Sequence, residues 1–259
     1  MMSKAPTTHI DRLSQQTGIA PSYIQDRLGA AYGSAGAAPA LQSDADLIER
    51  LVVQETSFFR HGAQWDSLRA LLREGILFPP RTLQVWCAGC ATGEEVWSLA
   101  FLLHSEGFGA SRILGSDISP SAIAAATEGR YTRLEAMGSF RDLPEFARGL
   151  FPGRSGETWS APDALRSMVH FQIHNLLDPV PAAWRTRPAD LVFCRNLLIY
   201  FTETAASKAL TQLAGAMRKG AVLVLGAAET MRRTDLFEPV ETPGAVFWRR
   251  TEAQARPLA

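Results

Sequence analysis

The residues of this chain that could do chemistry are concentrated between positions 83 and 95, in the string LQVWCAGCATGEE. An apolar run leads into a turn of small residues from Gly89 to Gly93, and a helix then begins with Glu94 and Glu95. In open α/β sheets, a strand, a glycine turn and a helix in this order bind nucleotide-like ligands against backbone N–H groups. Glycine permits both the turn and the close approach of the ligand. A turn that holds no ligand is the alternative.

The charges at this helix start restrict the kind of ligand. Glu94 and Glu95 suit the positive end of the helix dipole but repel a pyrophosphate, which disfavours ATP and dinucleotides. They favour a ligand without phosphate that carries a positive sulfonium and an amine, as S-adenosylmethionine (SAM) does. Asp117 ends the next apolar run, where an acid accepts hydrogen bonds from both ribose hydroxyls. A helix N-cap or a turn is the alternative role for Asp117.

The composition excludes several classes of protein. The chain has 259 residues, of which 46% are apolar, and its net charge is zero, so we expect a globular protein with one large domain or a domain and a small companion. Because the net charge is zero, no overall electrostatic attraction to nucleic acid is expected, and we predict no nucleic-acid partner. No apolar run is long enough to cross a membrane, and residues 1–11 lack a signal-peptide core. We therefore predict a cytoplasmic protein without membrane insertion, and we expect a monomer.

The three cysteines, Cys87, Cys90 and Cys194, do not indicate a disulfide framework, because their number is odd and no signal peptide precedes them. Cys87 and Cys90 have C-x-x-C spacing, which leaves a redox or zinc role open. No second Cys/His pair has ligand spacing, since His170 and His174 lie in a strand-like segment. We predict no metal and interpret these cysteines as small buried residues beside a ligand.

Helix periodicity predicts that residues 1–72 form a small all-helical region with a linker. Helices are predicted over residues 9–31, with a break at Thr17 and Gly18, and from Ser43 onward, with a Gly/Ala/Ser-rich linker at residues 30–40. Residues 54–60 are interpreted as a helix end that packs two phenylalanines on the core.

Strands and helices alternate from Thr82, which predicts an α/β fold with a mostly parallel sheet. The predicted helix over residues 202–219 is closed by Gly220, and the strands at 221–225 and 245–248 have no helix between them. We therefore expect an antiparallel C-terminal hairpin. Residues 131–168 are irregular and are interpreted as an insertion with short elements.

Polar residues follow several predicted strands, at Asp117, Asn175, Arg195 and Asn196. Ligands of open α/β sheets bind at the carboxyl ends of the strands, so we expect these side chains to share a site. A turn is the alternative role for Asn175. Arg195 directly follows a buried strand, and a charge in that position must be solvated, paired or functional.

Several strings together resemble one family. QETSFFR at residues 54–60 is similar to N-E-T-x-F-F-R, WCAGCATGEE at 86–95 to W-S-A-G-C-S-T-G-E-E, and FCRNLLIYF at 193–201 is the most specific string. SDIS, GRY and the pair Asn175-Leu176 follow in the expected order. From about Gln54 to Trp248 the chain resembles the CheR-type protein-glutamate O-methyltransferases of bacterial chemotaxis.

The resemblance implies that methyl groups are transferred from SAM to glutamate carboxylates of methyl-accepting receptors, giving methyl esters and S-adenosylhomocysteine (SAH). It implies a Rossmann-like SAM-dependent methyltransferase domain at residues 73–259, a helical region at 1–72, and a small β subdomain inserted at about 131–168. The expected partner is the cytoplasmic helical region of a receptor. A receptor-tail peptide is a candidate partner of the inserted subdomain.

The resemblance also assigns site residues. Arg60 and Tyr200 would face the methyl acceptor as catalytic residues. The residues implied to line the cofactor are Gln54, Thr56, Arg60, Ala88, Gly89, Glu95, Asp117, Asn175, Leu176, Arg195 and Asn196.

The chain departs from the family pattern at three points. Gln54 replaces the signature asparagine, Ala227-Ala228-Glu229 stands where His-Ser-Glu is usual, and the helical region is short with few basic residues. We therefore expect receptor docking to differ or the substrate not to be a standard chemoreceptor. Three other hypotheses remain: a SAM/SAH-binding interaction module of a signalling array with weak or no catalysis, a small-molecule methyltransferase, and a nicotinamide dehydrogenase, which Glu94 and Glu95 disfavour.

Overall fold

The computed structural model describes residues 9–32, 43–78, 82–134 and 138–252. The helices are α1 His9–Thr17, α2 Pro21–Tyr32, α3 Asp44–Leu51, α4 Gly62–Glu74, α5 Glu94–Ser105, α6 Pro120–Glu128, α7 Glu145–Arg148, α8 Asp163–Arg166, α9 Ala182–Thr186 and α10 Glu203–Ala216. The strands are β1 Gln84–Ala88, β2 Arg112–Asp117, β3 Arg130–Thr132, β4 Thr158–Ser160, β5 Val169–Ile173, β6 Ala189–Cys194, β7 Met217–Leu225, β8 Phe237–Glu241 and β9 Val246–Arg250. Two 3₁₀ helices span Gly138–Phe140 and Leu198–Tyr200.

The main sheet has the strand order β5-β2-β1-β6-β7-β9-β8. Strands β5, β2, β1, β6 and β7 pair in parallel, whereas β7–β9 and β9–β8 pair antiparallel. The parallel strands alternate with helices, as a Rossmann-like sheet requires. The predicted fold class and the antiparallel C-terminal hairpin are confirmed, and the hairpin consists of β8 and β9.

Helices α1, α2 and α3 form where the sequence predicted helices. Gly18 has a φ of 80° and separates α1 from α2, because this left-handed angle suits glycine. Ser43 caps α3, and its side chain and that of Asp46 form a reciprocal capping box. The predicted linker at residues 30–40 lies, from residue 33 onward, outside the described residues. Leu13, Ile24 and several α3 side chains form a separate apolar cluster.

Residues 54–60 are not a helix end, which corrects the sequence-based interpretation. They belong to an irregular segment between α3 and α4, although Phe58 and Phe59 are both buried as expected. Phe59 has a φ of 54°, and this left-handed angle is incompatible with a continuing right-handed helix. The segment instead bonds to distant elements, because the N–H of Phe58 donates to the Ser139 carbonyl at 2.7 Å.

Two further predictions near the C-terminus were wrong in detail. Helix α10 ends at Ala216, so Gly220 does not close it. Gly220 lies inside β7 with a φ of 73°, next to an irregular register between β6 and β7. Strand β8 was not predicted, because proline is typical of turns and Pro239 lies in the middle of this strand. Pro239 pairs with Trp248 on β9, and β8 is an edge strand, where a residue without an N–H donor is tolerated.

Alternate residues of β1 point to opposite faces of the sheet, so each face has its own apolar core. Val85 and Cys87 belong to the cluster that includes α4, α5 and the insertion. Trp86 and Ala88 belong to the cluster that includes α10. In the predicted insertion, β3 and β4 form a two-stranded antiparallel sheet. Among the described residues, no helix combines the length and apolar character needed to cross a membrane.

Gly115 on β2 tests how tightly α5 packs on the sheet. A Cβ at this position would lie 2.6 Å from Phe171 Cδ1 and 2.9 Å from Val96 Cγ2. We expect Gly115→Ala to lower the free energy of unfolding by about 1–3 kcal/mol through overpacking. The measurement is urea denaturation. Gly149→Ala is the control, because no atom of another described residue lies within 4 Å of that Cβ position apart from its chain neighbours. Equal stability of the two variants would contradict the packing described.

Candidate functional site

An open cleft lies at the carboxyl ends of β1, β2, β5 and β6. The structure brings every predicted site residue to its wall. These residues are Gln54, Thr56, Arg60, Ala88, Gly89, Glu95, Asp117, Asn175, Leu176, Arg195, Asn196 and Tyr200. They come from separate parts of the chain, and their common location agrees with the expectation from strand ends. What each of them binds stays a prediction.

The glycine turn is held to the neighbouring strand and packed without room for side chains. The N–H groups of Gly89 and Cys90 donate to the Ser116 carbonyl at 2.8 and 3.0 Å. A Cβ on Gly89, whose φ is 75°, would lie 2.8 Å from Leu197 Cδ2. A Cβ on Gly93, whose φ is 95°, would lie 2.7 Å from the Cβ of Ala126. Both glycines are therefore needed for the turn itself.

Asp117 lies at the end of β2, and each of its two carboxylate oxygens accepts a hydrogen bond from a backbone N–H group. Its Oδ2 accepts from the Ala91 N–H at 2.9 Å, and its Oδ1 accepts from the Ser119 N–H at 3.0 Å. Burial raises the pKa of Asp117, and the backbone hydrogen bonds oppose this shift. Ser119, and not Asp117, is the N-cap of α6. The hydrogen bond from the Ser119 N–H to Asp117 Oδ1 is a turn contact, so the alternative role of Asp117 as a turn residue is present. Each carboxylate oxygen retains a second lone-pair direction for a ligand hydroxyl.

Arg195 joins three parts of the cleft. Its side chain is only 2% exposed, and Nη1 forms an ion pair of 2.8 Å with Oε2 of Glu95 at the start of α5. Its Nη2 donates to the carbonyl of Arg60 at 2.6 Å, and the Sγ of Cys87 donates to Oε1 of Glu95 at 2.8 Å. The charge that follows β6 is thus paired rather than solvated, as burial demands. Among the described residues, the buried Nε of Arg195 has no hydrogen-bond partner.

Arg60 lies at the cleft edge on a strained backbone. Phe59 and His61, on either side of it, have left-handed φ angles of 54° and 64°. Arg60 Nη1 donates to the Glu55 carbonyl at 2.9 Å, and Nη2 lies 3.6 Å from Glu55 Oε1. The pKa of His61 is lowered, first by burial and then by the positive charges of Arg195 and Arg60. Arg60 thus lines the cleft while its guanidinium stays close to the Glu55 carboxylate.

The two phenylalanines before Arg60 anchor it from behind. The Phe59 N–H donates to Ser98 Oγ on α5 at 2.9 Å. The Phe58 ring packs at centroid distances of 4.6 to 5.2 Å against four aromatic rings of the insertion. These rings belong to Tyr131, Phe140, Phe151 and Trp159. The insertion thus holds the segment that carries Arg60, which is a packing role that the sequence did not indicate.

Tyr200 lies where the α1–α2 turn packs on the cleft. Ile19 forms an isolated antiparallel bridge with Phe201, and the Ala20 N–H donates to the Tyr200 carbonyl at 2.8 Å. The ring centroids of Tyr23 on α2 and Tyr200 lie 4.8 Å apart, and the ring planes meet at an angle of 49°. The N-terminal helices therefore form one wall of the cleft.

Some lining residues were missed by sequence reasoning. Thr17, Ile19 and Tyr23 line the cleft, but in the sequence they only mark a helix break and an apolar helix face. Asn175 lines the cleft as predicted, yet its side chain also donates to the Gln16 carbonyl at 2.7 Å and accepts from the Leu177 N–H at 3.0 Å. The turn role considered for Asn175 is thus present. No sequence signal identifies the contact of Asn175 with Gln16, because it joins distant segments.

The cysteines are free and buried. Burial raises the pKa of Cys87, Cys90 and Cys194 well above the ordinary thiol value. Raised pKa values favour the neutral thiol over the thiolate, which is the nucleophilic form. Within the described part of the chain, no group of His, Cys, Asp and Glu has the arrangement of a metal site.

Comparison with known proteins identifies relatives. A family model described as "CheR methyltransferase, SAM binding domain" matches residues 54–246. A chemotaxis protein methyltransferase of Listeria monocytogenes is 31% identical over 73% of this chain and 71% of its own length. Chemotaxis protein methyltransferase 1 of Pseudomonas aeruginosa is 30% identical over 78% of this chain and 76% of its own length.

One further relative and one solved structure are also similar to this chain. The probable biofilm formation methyltransferase WspC of Pseudomonas putida is 33% identical over 85% of this chain, and the chain spans 53% of that relative. Among solved structures, magnesium protoporphyrin IX methyltransferase from Synechocystis PCC 6803, with bound SAM, is similar over 95% of this chain and 97% of its own. Its sequence identity is 16% and its TM-score is 0.42.

The ion pair of Arg195 and Glu95 has a measurable energetic consequence. Arg195→Met leaves the Glu95 carboxylate buried without its cation, so we expect the free energy of unfolding to fall by about 3–5 kcal/mol. In the double variant Arg195→Met/Glu95→Gln the unpaired charge is gone. The loss should therefore be smaller than the sum of the single losses, by about 1–3 kcal/mol. The measurement is a double-mutant cycle by urea denaturation at pH 7.

The control for this cycle is an exposed ion pair. Arg249 and Glu238 on the β8–β9 hairpin lie 2.8 Å apart with side chains 45% and 48% exposed. The same substitutions there should give a coupling energy of about 0.2–1 kcal/mol. If the stability losses of Arg195→Met and Glu95→Gln simply added in the double variant, this would contradict the ion pair of Arg195 and Glu95.

Proposed function

The chain belongs to the CheR methyltransferase family, and we propose that it methylates glutamate side-chain carboxylates of methyl-accepting, chemotaxis-type receptors. The protein is a SAM-dependent methyltransferase with SAM as its cofactor. The products of the proposed reaction are glutamate methyl esters and SAH. The observation that carries the proposal is that Arg60 and Tyr200, from two distant segments, line the same cleft as Glu95 and Asp117.

The residues of the cleft fit SAM. Asp117 offers carboxylate lone pairs to hydroxyl groups at the end of β2. Glu95 adds a second carboxylate to the wall, and no phosphate has to be accommodated at the acidic start of α5. Gly89 lies at the wall without a side chain. We propose that the backbone near Ala88 and Gly89 and the side chains of Glu95 and Asp117 hold the cofactor, together with Thr56, Asn175, Leu176, Arg195 and Asn196.

Gln54 is a separate case among the proposed cofactor residues. It lines the cleft, and its Nε2 lies 3.4 Å from both Ser119 Oγ and Ser121 Oγ. These weak contacts allow the amide to turn toward a ligand. We therefore propose that Gln54 keeps a cofactor contact despite replacing the family's asparagine.

The acceptor needs placement rather than a general base. A glutamate carboxylate is ionised at pH 7 and is a competent nucleophile. When bound, SAM supplies an activated methyl group on a sulfonium. Arg60 would orient the carboxylate through its guanidinium, and Tyr200 would donate one hydrogen bond from its phenol. The existing contact of Arg60 with Glu55, at 3.6 Å, is long enough for an incoming carboxylate to replace it.

The proposed division of labour follows the elements. Residues 1–72 would form the helical region with its linker, residues 73–259 the methyltransferase domain, and residues 131–168 the inserted subdomain. The cytoplasmic helical region of a receptor is the proposed partner, and a receptor-tail peptide is a proposed ligand of the insertion. The position of the α1–α2 turn beside Tyr200 supports a role of the first region at the acceptor side. The monomeric state stays a prediction.

The direct test of the proposed reaction is methyl transfer from labelled SAM to receptor-containing membranes of the source bacterium. Methyl esters release methanol in alkali, whereas N-methyl groups do not. We expect alkali-labile label on a receptor band and none with heat-inactivated protein. Absence of label together with tight SAH binding would contradict the proposal and would favour a SAM/SAH-binding module of a signalling array.

Arg60→Ala separates acceptor positioning from cofactor binding. Loss of a charged hydrogen-bond donor costs about 1.5–3 kcal/mol, so we expect turnover to fall by about 10- to 150-fold. The Kd for SAH, measured by calorimetry, should rise less. Arg148→Ala, at an exposed ion pair on α7, is the control and should change neither quantity. Equal losses of turnover and SAH affinity would make Arg60 a cofactor residue only.

Asp117→Asn tests the ribose contact. We expect the Kd for SAH to rise by about 10- to 150-fold, because an ionised acceptor of hydroxyl groups is lost. An analogue of SAH without the 2′-hydroxyl separates this effect from damage to the turn. The wild type should discriminate between SAH and the analogue, and the variant should not. Asp178→Asn is the exposed control. Unchanged discrimination in Asp117→Asn would exclude the ribose role.

A further inference from the structure

Glu229, four residues after the end of β7, has a carboxylate that accepts hydrogen bonds from four backbone N–H groups. Its Oε2 accepts from Asn196 at 2.9 Å and from Gly226 at 2.6 Å. Its Oε1 accepts from Leu197 at 2.9 Å and from Leu198 at 2.7 Å. Glu229 is not among the residues that line the cleft.

The charge of this carboxylate is compensated by the backbone. Within the described parts of the chain, no Lys, Arg or His forms an ion pair with Glu229. Burial raises its pKa, and the backbone hydrogen bonds from Gly226, Asn196, Leu198 and Leu197 oppose that shift. Successive N–H groups that converge on one anion form a concave backbone site of the kind that holds carboxylates and phosphates. The turn at residues 196–198 is therefore built around this side chain.

The turn that Glu229 holds carries residues of both walls of the cleft. Arg195 precedes it, Asn196 begins it with a left-handed φ of 58°, and the 3₁₀ helix Leu198–Tyr200 ends it. Gly226 permits the close approach, because a Cβ there would lie 2.9 Å from both the Asn196 nitrogen and Glu229 Oε2. Asn196 is held in the left-handed region, which is strained for a residue other than glycine, and the contacts of its N–H group with the carboxylate stabilise this conformation.

We propose that Glu229 is a positioning residue of the methyltransferase site. Its carboxylate fixes the turn at residues 196–198, so that Arg195 and Asn196 line the cofactor side of the cleft and Tyr200 lines the acceptor side. The inference rests on the proposed function for the roles of those three residues. Because Glu229 does not line the cleft, it would act through this turn and not by contact with cofactor or acceptor.

The far end of the same segment has a different anchor. The Tyr200 carbonyl accepts from the Ala20 N–H at 2.8 Å, and the Thr202 N–H donates to the Gly18 carbonyl at 2.8 Å. Loss of the Glu229 carboxylate therefore frees residues 196–198 while the segment stays attached at residues 200–202. We expect a local change at the cleft rather than unfolding of the sheet.

Glu229→Gln tests this inference at nearly constant size. The amide oxygen of glutamine still accepts hydrogen bonds, but its NH₂ group faces two of the backbone N–H donors and cannot accept from them. We expect the Kd for SAH, measured by calorimetry, to rise at least about tenfold, which corresponds to about 1.4 kcal/mol or more. Amide hydrogen exchange should accelerate at residues 196–198 and stay unchanged in β1.

Two further variants complete the experiment. Glu229→Asp keeps the charge on a shorter side chain, so its SAH affinity should lie between those of the wild type and Glu229→Gln. Glu241→Gln, at an exposed position on β8, should behave as the wild type does.

The inference is overturned by either of two results. In the first, Glu229→Gln accelerates exchange at residues 196–198 but binds SAH within about twofold of the wild type, which would make Glu229 a brace for stability alone. In the second, exchange accelerates equally in β1. If Glu229→Gln does not fold, Glu229→Asp decides, and wild-type SAH affinity in that variant overturns the inference. Because SAH binding requires no acceptor, these results are independent of whether the chain methylates glutamate.

Discussion

The cleft depends on one buried cation. Arg195 pairs with Glu95 at the start of α5 and donates to the carbonyl of Arg60, so a single guanidinium connects the end of β6, the glycine-turn helix and the segment that carries Arg60. A charge with so little exposure must keep its partners, because an unpaired buried ion costs several kcal/mol. Three segments that are far apart in sequence are therefore held in one relative position. The family strings at residues 54–60, 86–95 and 193–201 are the three parts of this contact.

Backbone strain is concentrated around the same cleft. Among the described residues, the non-glycine positions with positive φ are Phe59, His61, Ala91 and Asn196. Phe59 and His61 flank Arg60, Ala91 lies in the glycine turn, and Asn196 follows Arg195. Such angles cost about 1–3 kcal/mol each and persist only where the surroundings fix them. The aromatic cluster around Phe58 and the carboxylates of Asp117 and Glu229 supply that support. The insertion thus contributes to the site by packing, whatever it binds.

Local patterns predicted the parts of the molecule that are set by local chemistry. Glycines 89 and 93, the acid at Asp117 and the polar ends of β5 and β6 located the cleft before any contact was known, because parallel strands end at one edge. The errors have physical causes. Pro239 is acceptable in β8 because that strand is at the edge of the sheet. The helix end predicted at residues 54–60 does not form, and the segment instead bonds to Ser98 and Ser139. Tyr23 and Glu229 act across distances in sequence that no local pattern encodes.

We propose that Asp117 holds the cofactor on one side of the cleft and that Arg60 and Tyr200 face the methyl acceptor on the other. A crystal structure of the chain with SAH tests this most directly. We expect the ribose hydroxyls on the Asp117 carboxylate and the sulfur open toward Arg60 and Tyr200, with space on that side for a carboxylate. A sulfur directed away from both residues, or SAH bound outside this cleft, would contradict the claim.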